Sequence, residues 1–146
     1  MTHRELERRI DTLLGEFRIM TPALAALLGF QLIAAMQSSY PDLALWTRAI
    51  NFAAVASSAL ALGFMLVPSA YHRFAPRVHE DESFIAFAQH SLSWGFVFLS
   101  LSLTGSLFLQ AARSFDSGAV GALAATAALA FLAILWWVYP KRLVRP

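Results

Sequence analysis

The chain has 146 residues, 58% of them hydrophobic and 14% charged, with a net charge of +2 and no cysteine. That balance belongs to an integral membrane protein, and the absence of thiols excludes disulfides, thiolate metal sites, iron–sulfur clusters and cysteine nucleophiles. The pI near 9.5 does not indicate a nucleic-acid partner, because the basic residues flank apolar stretches, where membrane topology accounts for them.

In chain order, Leu6, Ile10, Leu13, Leu14 and Phe17 come first and share one helical face, with Glu5, Arg8, Arg9 and Glu16 on the rest. Residues 4–18 therefore read as an amphipathic helix on the membrane surface. Packing of this helix on a partner or on the middle loop is the other option. Thr21-Pro22 opens the first apolar stretch, residues 19–37. The mixed-charge residues before it mark a retained span and not a cleaved signal peptide. Pro41-Asp42 marks a turn before the second stretch, residues 49–70. A polar connection follows, with Pro76 inside it, and the acidic run Glu80-Asp81-Glu82-Ser83 suits the start of a third helix. The third and fourth apolar stretches are residues 91–112 and 118–139, and Pro140 ends the last. A hydrocarbon core of about 30 Å takes roughly 20 helical residues to cross. Backbone polar groups there must pair within their own segment, so all four stretches should be helices. The fold class is an all-α integral membrane four-helix bundle with an N-terminal amphipathic interfacial helix. Residues 1–146 form a single membrane domain.

Nine basic residues fall in the N-terminal segment, the second connection and the tail, against Arg48 and Arg113 on the other side. Positive flanks remain cytoplasmic, which puts both termini and the middle loop in the cytoplasm. Tyr40, Trp46, Trp136, Trp137 and Tyr139 lie near span ends, as interfacial aromatics do.

Inside lipid, helices associate through small and polar side chains. Each span carries a candidate stripe for this. These are Pro22, Ala26 and Gly29 in the first span, and Asn51, Ala54, Ser58, Ala61 and Met65 in the second. The third offers Ser91, Gly95, Phe98, Ser102, Gly105 and Leu109, and the fourth Gly118, Ala122, Ala125 and Leu132. A second small face on the third span (Ser93, Ser100, Ser106) is a candidate for oligomer contacts. Gln31 is the most polar residue well inside the first span, and an interhelical bond to Asn51 or to a serine of the third span is its expected role. Gln31, Asn51, Ser58 and Ser102 are the candidate intramembrane polar contacts.

No Asp, Glu, Lys or Arg falls deep inside a span. Proton pumps and many coupled transporters place ionisable groups at that depth. The lone lysine, Lys141, lies beyond the fourth span, which excludes a retinal-type Schiff base. The densest polar cluster is the middle connection, with Tyr71, His72, Arg73, His79 and His90. Its plainest account is an interfacial loop. A pH-responsive gate, a metal site and a haem between His72 and His90 are the sharper ones. The histidine spacings match no ligand motif, so no metal or cofactor is assigned. No nucleophile elbow, P-loop or HExxH motif is present, and catalysis is not expected.

Glu16-Phe17-Arg18, then Thr21-Pro22 and Leu28-Gly29-Phe30-Gln31-Leu32, together with Pro68-Ser69-Ala70-Tyr71-His72-Arg73, resemble segments of an uncharacterised bacterial family of small four-span membrane proteins. Pro22-Ala23 stands where that pattern has Pro-Gly. The resemblance implies the same fold, supplies no activity, and draws attention to Glu16, Arg18, Gln31, Tyr71, His72 and Arg73. Glu16, Arg18 and the Tyr-His-Arg group are expected to form one ion-paired cytoplasmic cluster. The leading functional expectation is a non-enzymatic homo-oligomeric channel-like or transport module, its gate formed by the loop histidines. The alternative is an accessory or scaffold subunit of a larger membrane complex. The bilayer is the one partner the composition demands.

Overall fold

The computed structural model describes residues 3–36, 43–74, 82–139 and 141. The side chains of residues 3–7, 9, 10, 13, 14, 72–74, 82 and 83 lie outside that description. Four long helices run in sequence: α1 (His3–Ala35), α2 (Leu45–Phe74), α3 (Glu82–Ser114) and α4 (Gly118–Ala133), the last continuing into a π-helical turn at Ile134–Val138. Each contains a stretch long and apolar enough to cross a membrane, namely Gly15–Ala35, Leu45–Tyr71, Phe84–Ser114 and Gly118–Val138. The amphipathic segment and the first span form one unbroken helix. Pro22 sits inside it, and Thr21 Oγ1 donates to the Phe17 carbonyl at 2.7 Å.

Helices α2 and α3 form the central antiparallel pair. Helix α1 packs on α2 and touches α3, while α4 packs on α3. The stripes expected on the central pair are the ones that meet. Ala54, Ser58, Ala61 and Met65 are buried on α2, as are Ser91, Gly95, Ser102 and Leu109 on α3. Helix α1 works differently. Pro22 and Ala26 of its small-residue stripe are exposed, and Phe17, Leu24 and Gln31 turn inward instead. These recur every seven residues, two helical turns, and so form a ridge of large side chains. The ridge needs no small residues of its own because Phe17 and Leu24 pack into the cluster that holds Ala61 of α2, and Gln31 meets Ser58. Phe17, Leu24, Ala61, Met65 and Ala88 make one apolar core cluster.

Helix α4 is also corrected in register. Gly118 and Ala122 are exposed and Gly121 is buried. A Cβ built on Gly121 would lie 2.8 Å from both the Ala112 Cβ and the Phe108 carbonyl oxygen. That backbone oxygen cannot step aside, so glycine sets how closely α4 approaches α3. Lower down, the Phe96 and Trp136 rings meet at 4.7 Å, beside the π-helical turn. The rest of α4 is almost wholly apolar, and Gly121 is its one fully buried residue among the described ones.

Proline shapes the α2–α3 contact through a single hydrogen bond. Pro68 is fully buried within α2. It has no N–H for the carbonyl four residues earlier, that of Phe64. In a membrane a bare carbonyl must find another donor. Ser91 Oγ of α3 supplies one, donating to the Phe64 oxygen at 2.6 Å. Thus a helix defect becomes an interhelical link. Ser91→Ala is expected to lower thermal stability in mild detergent by roughly 1 kcal/mol, and to cost much less when Pro68→Ala restores the backbone donor. Equal costs in the two backgrounds, measured by thermal unfolding of the four proteins, would disprove this coupling.

Candidate functional site

The chemistry of this bundle lies where three helices meet around Gln31. Its carboxamide is 7% exposed, and Ser58 and Ser102 are fully buried. Gln31 Nε2 donates to Ser102 Oγ at 2.8 Å and to Ser106 Oγ at 2.9 Å. Ser58 Oγ donates to Gln31 Oε1 at 2.8 Å. The Ser58 and Ser102 oxygens lie 2.5 Å apart. Because the Ser58 proton goes to Gln31, the Ser102 proton completes the circuit to Ser58. The bonds then run one way around a ring, Gln31 to Ser102 to Ser58 and back. Such chains polarise one another and strengthen in a low dielectric.

Of the four expected intramembrane contacts, the structure brings Gln31, Ser58 and Ser102 into this ring. Asn51 lies farther toward the helix ends, half-buried, and lines the neighbouring cleft. Ser106 takes the second amide proton. It stands four residues after Ser102, one helical turn along the same face, and that spacing was the available signal. The supposed second face of α3 does not hold together. Ser106 faces Gln31, Ser100 is buried and donates to the Phe96 carbonyl of its own helix, and Ser93 is exposed.

The ring also sets the level of the helices. Gln31 lies four residues before the end of α1, whereas Ser58 is 13 residues from the start of α2 and Ser102 is 12 before the end of α3. At 1.5 Å per residue, α1 stops roughly 12 Å short of its neighbours. A cleft of about 250 Å³ opens along this step. Helix α1 gives it Leu27, Phe30, Gln31 and Ala34, and α2 gives Asn51. Ser106, Leu109, Gln110 and Arg113 form the α3 wall. Below the ring, toward the end that carries both termini, the Phe17–Met65 core cluster fills the interior.

Of the other expected site residues, Glu16, Arg18, Tyr71 and His90 have described side chains, at that terminal end. Glu16 and Arg18 are both exposed, on either side of buried Phe17. Tyr71 stacks on Phe84 at 5.8 Å and packs against Phe87 at 5.3 Å. His90 is exposed, and its Nε2 accepts from Trp94 Nε1 at 3.0 Å. His72 and Arg73 belong to the last turn of α2, with side chains outside the described set, and His79 lies outside the described residues. Among the described residues no three His, Asp or Glu gather as a metal set.

A family model described as a family of unknown function, DUF6328, matches residues 1–140. The chain belongs to this family. Comparison with curated proteins and with solved structures finds no match. Membership in DUF6328 assigns no activity, and the chemistry of the site is its own.

For the ring, that argument has a measurable form. Interhelical hydrogen bonds in membranes contribute about 0.6 kcal/mol each, and up to roughly 1.7. Gln31→Leu should lower stability by about 1–2 kcal/mol. A Gln31→Leu/Ser102→Ala double-mutant cycle should show a coupling of at least about 0.5 kcal/mol. Strict additivity in thermal or denaturant unfolding would mean that the ring contributes no cooperative stability.

Proposed function

We propose that this DUF6328 member is a non-enzymatic channel-like or transport module of a bacterial cytoplasmic membrane, acting as a homo-oligomer. The observation that carries the reading is the cleft that descends beside α1 and ends on the Gln31 ring. It is a cleft of mixed polar and apolar lining that reaches membrane depth from one side and is closed from the other by the apolar core cluster. No ionisable side chain lines its deep part, so the reading is of passive or gated passage and not of proton-coupled pumping. A single chain is closed in this form. Opening requires α1, the helix held by the ring, to shift against α2 and α3, or several copies to build the conduit between them.

His72, His79 and His90 form the gate in this proposal. Protonating His90 removes the lone pair that accepts from Trp94 and places a cation at the terminal end of α3. Purified protein in proteoliposomes should then conduct small ions or solutes with a pH dependence that His90→Gln flattens. Gln31→Leu should change the rate by about tenfold or more. Flat conductance at every pH tested, from protein shown to be folded, would end this reading.

A second reading, an accessory or scaffold subunit of a larger complex, is favoured by α4, which leaves most of its surface uncovered by the chain. Stoichiometric co-purification of a different protein from native membranes would decide for it.

The proposed orientation puts both termini in the cytoplasm. Without native cysteines, one introduced thiol reports unambiguously. In right-side-out vesicles an impermeant maleimide should label Phe115→Cys, and should reach Lys141→Cys only after permeabilisation. The reverse pattern would invert the assignment.

A further inference from the structure

We propose that the cleft beside α1 is a binding site for a phosphate-bearing amphiphile, with the phosphate held at Arg113. The inference rests on the cleft being the route described above, and it specifies what enters. Position along the helices orders the lining. Arg113 stands at the mouth, and Gln110, Asn51 and Leu109 come next. Ser106 and Ala34 follow, and Gln31, Phe30 and Leu27 lie deepest. Arg113 is seven residues beyond Ser106 on α3, roughly 10 Å along the axis. The sequence of charge, amide, hydroxyl and hydrocarbon matches an amphiphile lying parallel to the helices, with its anion at the interface, its ester and hydroxyl oxygens beside the amides, and its chain at depth.

Arg113 has the chemistry for the anion. A guanidinium is always charged and presents a planar fork that meets two phosphate oxygens at once. Arg113 is exposed, and no carboxylate pairs with it among the described residues. Asp116, the nearest acid in sequence, is exposed in the turn after α3, with a φ of 47°. The Gln110 Nε2 donates to Ser114 Oγ at a long 3.4 Å, so the amide can donate to a ligand oxygen without losing a strong bond. The exposed Phe30 ring, 71% accessible, borders the deep end. A volume of about 250 Å³ is below the usual range of about 300–1,000 Å³ for whole-ligand pockets. It suits a headgroup and its backbone, with the acyl chains leaving sideways into the bilayer.

The phosphate has two possible sources, a membrane lipid or a soluble phosphate ester, and native mass spectrometry of the full-length protein separates them. The probes are dioleoylphosphatidylglycerol, dioleoylglycerol, which lacks phosphate, and glycerol phosphate, which lacks chains. The expected result is retention of one phosphatidylglycerol per chain, with dioleoylglycerol retained at least tenfold less. Arg113→Gln should weaken retention about tenfold, Arg113→Lys by an intermediate amount, and Lys141→Gln not at all. Asn51→Leu should also weaken it, although no charge changes, which separates a built cleft from a lone surface cation. Circular dichroism on each variant establishes that it is folded. Competition by glycerol phosphate at the same concentration as the lipid would assign a soluble ester to the same phosphate site. Equal retention of dioleoylglycerol, or no loss in folded Arg113→Gln, overturns the proposal. Conduction that persists in that case leaves the transport reading standing with another cargo. Lipid retention without conduction leaves the site standing and removes the transport reading.

Discussion

A primary amide in hydrocarbon has two protons and an oxygen to satisfy, and water is not there to do it. Gln31 meets that demand by drawing serines from two other helices into a closed ring. Because the ring needs all three helices at one height, it sets their vertical register. The stepped ends of the bundle, the cleft along the step and the apolar plug beneath all depend on that register. In lipid, where apolar contact alone gives little preference for one helix arrangement over another, a directional constraint of this kind distinguishes one packing from its neighbours.

The remaining contacts divide the work according to side-chain size. Phe17 and Leu24 of α1 pack into one cluster with Ala61 and Met65 of α2, while Gly121 lets α4 lie directly on the α3 backbone. Pro68 and Ser91 add a second polar link, two to three turns of helix deeper into the terminal half, through a carbonyl that the proline leaves without its helical donor. The bundle is thus tied at two heights by hydrogen bonds and filled between them by apolar side chains. Helix α4 shares in neither polar link, which explains why so little of it is covered.

Much of this was legible in the sequence. Four apolar stretches of bilayer length gave the helices, and the 3- and 4-residue alternation gave the buried faces of α2 and α3. Gln31, Ser58 and Ser102 stood out because polar groups at membrane depth are few. The stripe on α1 was misread because small residues were taken as the only means of close packing, when a ridge of large residues can use the partner's hollows. On α4 nearly every residue is apolar or small, so periodicity held no information about which face turns inward. Arg113 read as an ordinary end-of-span cation. Its place in the cleft follows from where α1 stops, and that height is set by partners in other helices which no local pattern reveals. The loop histidines stood out by composition, yet of the three only His90 has a described side chain, and its partner is a tryptophan.

The unequal helix lengths also act on the membrane. The apolar stretches of the outer helices α1 and α4 are 21 residues each, against 27 in α2 and 31 in α3, so lipid meets shorter walls at the flanks than at the central pair. A bilayer meeting unequal walls thins beside the short ones or tilts the long ones, at a cost of fractions of a kcal/mol for each ångström of mismatch. The tilt of the molecule and its preferred neighbours therefore depend on bilayer thickness, independently of any ligand in the cleft.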